Sequence, residues 1–332
     1  MTIDKVSIVV PMYNSALYIV SSISSLLSQT YRNYEIIVVD DFSSDDSFSK
    51  VSDLVNQNAN VLLYKNEIKG ANSARQLGVS KAVGTYVVFM DADDSWDERA
   101  LEKLVGLAVP NDCDLVCCNM KVSVAGEIKK TSLFSFDDSS RAFRLDDERD
   151  FECVYDVPPS ACAKLFKREL LRSINFIDVP FSQDWNISYK YLAKCKLVMF
   201  LSEPLYTYQV SELSTSSYSN KTAEDVLFAC RSILDISFEY SGLCREMKWA
   251  RFLFYLESRY FISIVSRAAC LANSRDGVAV YRRVVQMMRY DRSRMTMLAG
   301  SIFGRGEFLK LLALWVICRG SPVFRIYAFF KG

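Results

Sequence analysis

Three aspartates, Asp91, Asp93 and Asp94, directly follow residues 86–90 (YVVFM), which are all apolar. Such a run predicts a buried strand whose carboxyl end delivers these carboxylates to the ligand crevice of an open α/β sheet. Asp91 and Asp93 are two residues apart, so both would share one face of an extended chain. Carboxylate oxygens are ligands that Mg²⁺ and Mn²⁺ prefer, with water and a substrate's phosphates completing the shell. The alternative is a solvated turn before a helix that begins near Asp97.

The composition limits the chemistry that this chain can perform. Its 332 residues include no histidine, which excludes a His base, a His-containing triad and any His-ligated metal site. The 40 basic and 39 acidic residues nearly cancel, which argues against a nucleic-acid binder. Ten cysteines are scattered without a Cys-x-x-Cys pair, and no secretory signal peptide is expected at the N-terminus. We therefore expect free thiols in a reducing cytoplasm, and acid–base chemistry from carboxylates, Lys, Tyr or Cys.

Strand-type and helix-type segments alternate ahead of the three aspartates. They lie at residues 6–10 (strand), 17–27 (helix), 35–41 (strand), 47–56 (helix), 61–64 (strand), 71–81 (helix) and 86–90 (strand). This alternation predicts an α/β fold with a doubly wound, mostly parallel sheet flanked by helices. Because parallel strands end at the same edge, we expect Tyr13, Asp41 and Asp93 to lie close together. No Gly-x-Gly-x-x-Gly motif follows the first strand, so a cation or basic side chains must meet the charge of a bound phosphate.

Five short motifs occur in a fixed order along the same part of the chain. They are residues 6–14 (VSIVVPMYN), 25–31 (SLLSQTY), 38–43 (VVDDFS), 74–78 (ARQLG) and 89–94 (FMDADD). Together they resemble family 2 inverting glycosyltransferases with the GT-A fold, of the bacterial polysaccharide-biosynthesis type. Phe42 stands where that family usually has Gly, and Gln76 stands where it usually has Asn. Neither departure removes a charge that the chemistry needs.

The resemblance also implies a domain organisation and an activity. Residues 1–217 would form the GT-A domain, with a donor-binding half (1–100) and an acceptor-binding half (101–217), followed by a helical C-terminal region (218–332). The implied reaction is metal-dependent, inverting transfer of a sugar from a nucleotide sugar, expected to be a UDP-sugar, to a hydroxyl of a glycan or lipid-linked oligosaccharide acceptor. The implied cofactor is Mn²⁺ or Mg²⁺, and the implied pathway is cell-surface polysaccharide biosynthesis.

Single residues receive roles from the same resemblance. Asp93 would hold the metal, with Asp91 and Asp94 alongside. Tyr13 would stack on the nucleotide base, and Asp41 would accept a hydrogen bond from the base N–H. The residues implied in binding the nucleotide sugar are Pro11, Tyr13, Asn14, Asp41, Arg75, Asp91 and Ala92.

The candidate base is Asp184, which precedes an apolar helical segment at residues 187–192. In the family this place usually carries Glu-Asp, and the Asp is the catalytic base. Gln183 replaces the Glu here, while the Asp is retained. The resemblance therefore implies that Asp184 takes the proton from an acceptor hydroxyl. A helix N-cap is the alternative role for Asp184, and Asp178 or Glu203 would be the next candidate bases.

Two other functions remain open at this point. One is a non-catalytic module that binds sugar nucleotides or glycans on the same fold. The presence of Asp41, Asp93 and Asp184 together favours the enzyme, because a binding module has no use for a base. The other is a nucleotidyltransferase, which would be expected to carry a Gly-rich, basic loop after its first strand. Residues 11–17 contain no Gly, Lys or Arg.

The C-terminal sequence suggests contact with a membrane surface. Residues 281–332 carry ten basic and two acidic residues, and after Pro322 the basic residues alternate with aromatic ones. Residues 308–318 are apolar except for Lys310, but they are too few for the roughly 20 residues that span a bilayer. We expect either peripheral binding to an anionic surface at the cytoplasmic face of the inner membrane or a helix packed on its own domain. For residues 127–150, a mobile loop and an acceptor-side insertion are both open.

Overall fold

A mixed ten-stranded sheet runs through the part of the protein that the computed structural model describes, residues 4–131, 142–178 and 183–210. The strands are β1 (Val6–Met12), β2 (Tyr34–Asp40), β3 (Val61–Lys65), β4 (Tyr86–Phe89), β5 (Ser95–Trp96), β6 (Leu115–Val124), β7 (Glu127–Lys130), β8 (Phe143–Arg144), β9 (Lys164–Lys167) and β10 (Leu197–Val210). The helices are α1 (Ile19–Leu27), α2 (Ser47–Gln57), α3 (Ala71–Lys81), α4 (Ala100–Ala108), α5 (Arg168–Arg172) and α6 (Gln183–Leu192), with a short 3₁₀ helix at Phe151–Tyr155. All the described residues belong to one unit, Met1–Asp178 with Gln183–Thr215.

Strands β3, β2, β1 and β4 lie side by side in that order and are all parallel. The chain moves outwards from β1 through β2 to β3 and then returns to the other side of β1 as β4. The order therefore reverses between β1 and β4, and such a switch point opens a crevice at the carboxyl ends of both strands. The sheet continues through β9, β6, β10 and β5, with β9 antiparallel to both β4 and β6. The predicted fold class is confirmed, and antiparallel strands complete its second half.

The strands that lead to the crevice are buried along their whole length. Every residue of β1, β2 and β4 is buried, which explains why these strands are nearly continuous apolar runs rather than alternating ones. Helix α1 buries Ile19, Ile23 and Leu26, at the spacing that places side chains on one face of a helix. The loops after β1, β2 and β4 therefore start from a rigid layer.

The ends of several helices and strands differ by a few residues from those predicted from the sequence. Strand β2 ends at Asp40, so Asp41 opens the following loop, where its N–H donates to the Met12 carbonyl at 2.7 Å. The helix expected near Asp97 begins later, at Ala100. The reason is that Ser95–Trp96 first pair with β10 as strand β5.

Other predictions meet the structure only in part. Five cysteines of the described residues are buried free thiols, as predicted; they are Cys113, Cys117, Cys118, Cys162 and Cys195. In the ranges that the structure describes, no helix is long and apolar enough to cross a bilayer. The segment 127–150 contributes strands β7 and β8 to the sheet, while residues 132–141 are not described. The helical region predicted at 218–332, with its membrane-binding segment, lies outside the described residues.

Candidate active site

The three carboxylates after β4 have three different surroundings. Asp91 Oδ1 pairs with Arg75 Nη2 at 2.7 Å. Asp94 is buried, and its two oxygens accept hydrogen bonds from the Tyr206 hydroxyl at 2.5 Å and from the Gln209 N–H at 2.8 Å. Asp93 is partly exposed, and no side chain of the described residues donates a hydrogen bond to it. Of the three predicted metal ligands, Asp93 is therefore the one best placed to meet a ligand from solvent.

The cluster holds more negative charge than its surroundings neutralise. Burial, reinforced by the charge of Asp91, raises the pKa of Asp93 to about 6. Burial likewise raises the pKa of Asp94 well above its usual range. A positive ion beside Asp93 would relieve this repulsion.

The raised pKa of Asp93 predicts a measurable effect on stability. A carboxyl whose pKa is higher in the folded chain stabilises the fold below about pH 4, and this contribution is lost as the pH rises through about 6. In metal-free buffer we therefore expect Asp93→Asn to be more stable than the wild type at about pH 7 by roughly 1 kcal/mol. The expected gain is smaller than the full pKa shift implies, because Asp93 is partly exposed and water screens its charge. Urea unfolding with a chelator at about pH 4 and about pH 7 measures it, and a stability difference independent of pH would contradict it.

Arg75 connects the β4 carboxylates with Asp184. Arg75 is 4% exposed, and its guanidinium pairs with Asp91 Oδ1 at 2.7 Å through Nη2 and with Asp184 Oδ1 at 3.2 Å through Nη1. Nη1 also donates to Asn72 Oδ1 at 3.1 Å. The sequence assigned Arg75 to the nucleotide sugar, whereas the structure places its charged group between two carboxylates. Arg75 thus brings Asp91 and Asp184, which are distant in sequence, to one place.

Asp184 lies in the first turn of α6, beyond the N-cap position. Its carboxylate contacts Arg75 and accepts a hydrogen bond from the Ser160 hydroxyl at 3.3 Å, and it remains partly exposed. The N-cap alternative is not supported, because these partners lie on other elements. The next candidate bases are engaged by partners away from Arg75. Asp178 accepts hydrogen bonds from two backbone N–H groups of α3, at 2.7 Å and 3.0 Å, and Glu203 pairs with Lys103 of α4.

The loops after β1 and β2 form the other part of the site. Asp41 Oδ1 accepts from Asn66 Nδ2 at 2.7 Å and from the Gly70 N–H at 2.9 Å, and that N–H also lies 3.1 Å from Oδ2. The Tyr13 ring is 42% exposed, and Lys69 Nζ lies 4.7 Å from its centroid. The loop after β1 therefore presents an exposed aromatic ring, and the Asp41 carboxylate on the loop after β2 keeps a lone pair on Oδ2.

The other residues predicted to bind the nucleotide sugar contact mainly the protein itself. Asn14 Oδ1 accepts from the Ser44 N–H at 2.8 Å and so joins the two loops. Pro11 and Ala92 are buried. Phe42 has a φ of 63°, a left-handed conformation that the family's usual Gly adopts without steric cost. The departure at Phe42 therefore keeps the loop geometry and adds an exposed ring.

Sequence reasoning missed several polar residues that build the site. Asn66 and the Gly70 N–H bind Asp41, and Tyr206 binds Asp94. Ser160 binds Asp184, and Lys164 binds the carbonyl of Ser160. Within the described ranges, no group of three or more Cys, Asp or Glu side chains is already arranged to hold a metal.

Comparison with known proteins identifies the family. The sequence model of Glycosyl transferase family 2 matches residues 7–174, which is more than half of the chain. The chain belongs to this family. The predicted resemblance is thereby confirmed, and the residues matched include β1 to β9 and the crevice between β1 and β4.

Three curated members of this group show how far the similarity extends. An uncharacterized glycosyltransferase, EpsJ, from Bacillus subtilis is 26% identical over 99% of this chain and 96% of its own length. Glycosyltransferase GlyA from Streptococcus pneumoniae is 28% identical over 64% of this chain, which spans only 32% of GlyA. The UDP-Glc:alpha-D-GlcNAc-diphosphoundecaprenol beta-1,3-glucosyltransferase WfgD from Escherichia coli is 37% identical over 35% of this chain and 46% of its own.

A solved structure shares the fold. The crystal structure of S. aureus TarS 1-349 in complex with UDP-GlcNAc superposes with a TM-score of 0.60 and 19% identity, over 86% of this chain and 91% of TarS 1-349. At this identity the likeness concerns the fold alone.

Proposed function

We propose that this protein is a metal-dependent, inverting glycosyltransferase that moves a sugar from a UDP-sugar to a hydroxyl of a glycan or lipid-linked acceptor. Asp93 would hold the metal, and Asp41 and Tyr13 would bind the nucleobase of the donor. Asp184 would act as the general base. The observation that carries the proposal is the Arg75 bridge between Asp91 and Asp184. It places a partly exposed carboxylate of α6 beside the carboxylates that follow β4, where donor and acceptor would have to meet.

The partners of Asp41 favour uridine over guanosine. Oδ1 accepts two hydrogen bonds inside the protein, whereas Oδ2 shares only the Gly70 N–H and keeps a lone pair that can accept from a ligand. Uracil presents a single N–H on its pairing edge, and one carboxylate oxygen satisfies it. Guanine presents an N1–H and an amino group together, which two free carboxylate oxygens would match better. The exposed Tyr13 ring offers a stacking surface for either base.

The residues after β4 fit a divalent ion that is held mainly by its substrate. Mg²⁺ and Mn²⁺ sites of this kind use one or two carboxylates, with water and phosphate oxygens completing the shell. Asp93 supplies such a carboxylate, and Asp91 can assist through the oxygen that Arg75 does not bind. When bound, the ion supplies positive charge against the departing diphosphate. Asp94 would serve the site indirectly, because its oxygens are engaged by Tyr206 and Gln209.

Asp184 would remove the proton from the acceptor hydroxyl as that oxygen attacks the anomeric carbon. Arg75 and Ser160 hold its carboxylate in one orientation, and Asp184 stays accessible from solvent. Attack on the side opposite the diphosphate inverts the anomer, and one base suffices for this. A lipid-linked acceptor is suggested by the diphosphoundecaprenol in the name of WfgD. A basic C-terminal segment at an anionic membrane surface would suit such an acceptor.

The test is to incubate the full chain with UDP-glucose, UDP-galactose, UDP-N-acetylglucosamine and GDP-mannose, each with Mn²⁺, and to measure release of the nucleoside diphosphate. We expect slow release of UDP from at least one UDP-sugar by transfer to water, and release of little GDP. UDP binding without release, even with added glycan acceptors, would favour the non-catalytic binding module. Faster release of GDP would contradict the choice of uridine.

A further inference from the structure

Lys164, the first residue of β9, is fully buried, with 0% of its surface exposed. Removing an ammonium group from water costs several kcal/mol unless new partners replace the solvent. Burial accordingly lowers the pKa of Lys164, while Cys117 and Asp184 oppose this shift. The mechanism proposed above does not use this side chain. Costly buried charges of this kind occur often at functional sites, so its partners are informative.

The partners of Lys164 lead directly to Asp184. The ammonium donates a hydrogen bond to the backbone carbonyl of Ser160. The same carbonyl accepts from the Ser188 hydroxyl at 3.0 Å. The Ser160 hydroxyl donates to Asp184 Oδ2 at 3.3 Å and accepts from the Cys162 N–H at 3.1 Å. Ser160 is thus held by Lys164 and itself holds Asp184.

Ser160 contacts α6 at two positions, Asp184 and Ser188. Asp184 and Ser188 are four residues apart, so they lie on one face of the helix. Lys164 shares a face of β9 with Phe166, whose ring contacts Tyr191 of α6 with 4.9 Å between centroids. The Lys164 side chain therefore lies between the sheet and α6, and its bond to Ser160 supports the turn that carries Asp184.

The other ionisable groups around Lys164 are thiols, which carry no charge at neutral pH. Cys117 and Cys118 lie on β6, and Cys162 lies beside Asp91. Burial raises the pKa of Cys117 to about 12, and it also raises the pKa values of Cys118 and Cys162. Among the groups that act on Lys164, Asp184 is therefore the one that carries a negative charge, and it also pairs with Arg75.

We propose that Lys164 is a positioning residue for the base: through Ser160 it fixes the first turn of α6, so that the Asp184 carboxylate faces the carboxylates after β4. This inference rests on the proposed function, because it takes Asp184 as the general base.

The test replaces Lys164 by Met, which has a similar shape and lacks the charge. Such replacements of buried charges often leave stability unchanged or increase it. With the UDP-sugar that the wild type uses best, we expect an unchanged KM and a turnover lowered by about 10- to 100-fold, as for a displaced catalytic group. We also expect the Kd of UDP with Mn²⁺ to stay at the wild-type value, because Tyr13, Asp41 and Asp93 lie on the loops after β1, β2 and β4. General loosening of the fold would weaken UDP binding and lower turnover together.

Lys190→Met is the matched control. Lys190 is also buried, at 2% exposure, and it lies on α6 itself, but it donates to the Asn175 carbonyl at 3.1 Å rather than to Ser160. We expect neither the turnover nor the affinity for UDP to change in a folded Lys190→Met variant. An equal loss in both variants would overturn the inference, since it would reflect general loosening of α6.

Ser160→Ala provides a second variant that does not depend on how Lys164→Met folds. It removes the hydroxyl that contacts Asp184 and should lower turnover while leaving the affinity for UDP unchanged. In the double variant with Lys164→Met the two losses should not multiply, because both act through Ser160. Wild-type kinetics in either folded single variant would overturn the inference. A wild-type enzyme that releases UDP from none of the UDP-sugars would contradict the proposed function itself and remove the base that Lys164 would position.

Discussion

Asp184→Asn is expected to lower the turnover of sugar transfer by about 10²–10⁴-fold, the usual contribution of a positioned general base. The substitution is nearly isosteric and removes the charge that accepts the proton of the acceptor hydroxyl. Asp184 lies on α6, whereas Tyr13, Asp41 and Asp93 lie on loops after β1, β2 and β4. The affinity for UDP should therefore stay close to that of the wild type. Steady-state release of UDP from the preferred donor gives both turnover and KM.

Glu203→Gln is the control for this experiment. It removes a carboxylate that pairs with Lys103 of α4 and that was itself a candidate base. We expect wild-type turnover in Glu203→Gln. Near-normal transfer by Asp184→Asn would show that another group takes the proton. Loss of UDP binding in the same variant would show that its ion pair with Arg75 is needed to build the donor site.

Asp93→Ala is expected to reduce transfer by at least about 10²-fold, because charge stabilisation of the leaving diphosphate contributes several kcal/mol to catalysis. A chelator should abolish wild-type activity to the same extent, and added Mn²⁺ or Mg²⁺ should restore the wild type but not the variant. Asp53→Ala, which removes an exposed carboxylate from α2, is the control and should behave as the wild type. Full activity of Asp93→Ala in the presence of chelator would exclude a metal at this position.

The donor half of the fold could be predicted from the sequence because its signals are local. Strands β1, β2 and β4 are mostly apolar runs that end in polar loops, and helix α1 has apolar residues at helical spacing. Such runs determine strand and helix order, and the right-handed crossovers then bring the strand ends to one edge. The placement of Asp184 at the same edge followed from the family resemblance rather than from any local pattern.

The partners of the site residues could not be predicted in this way. The bonds from Arg75 to Asp184 and from Tyr206 to Asp94 join residues that are distant in sequence, and no periodicity encodes them. The role of Arg75 at the nucleotide sugar stays a prediction, whereas its ion pairs with two carboxylates could be found only in the structure. For Lys164 the sequence does contain an indication, because alternation along β9 places it on the same face of the strand as Phe166. Its full burial, however, depends on α6 packing over that face.

The central claim is that this protein binds a UDP-sugar and that its catalytic base lies on a different element from the UDP-binding residues. Calorimetric titration of UDP in the presence of Mn²⁺ tests this claim most directly. We predict equal Kd values for UDP in the wild type and Asp184→Asn, weaker binding of GDP to both, and affinity for UDP reduced by about tenfold or more in Asp93→Ala. UDP that fails to bind the wild type, or that binds Asp93→Ala as tightly as the wild type, would contradict the account.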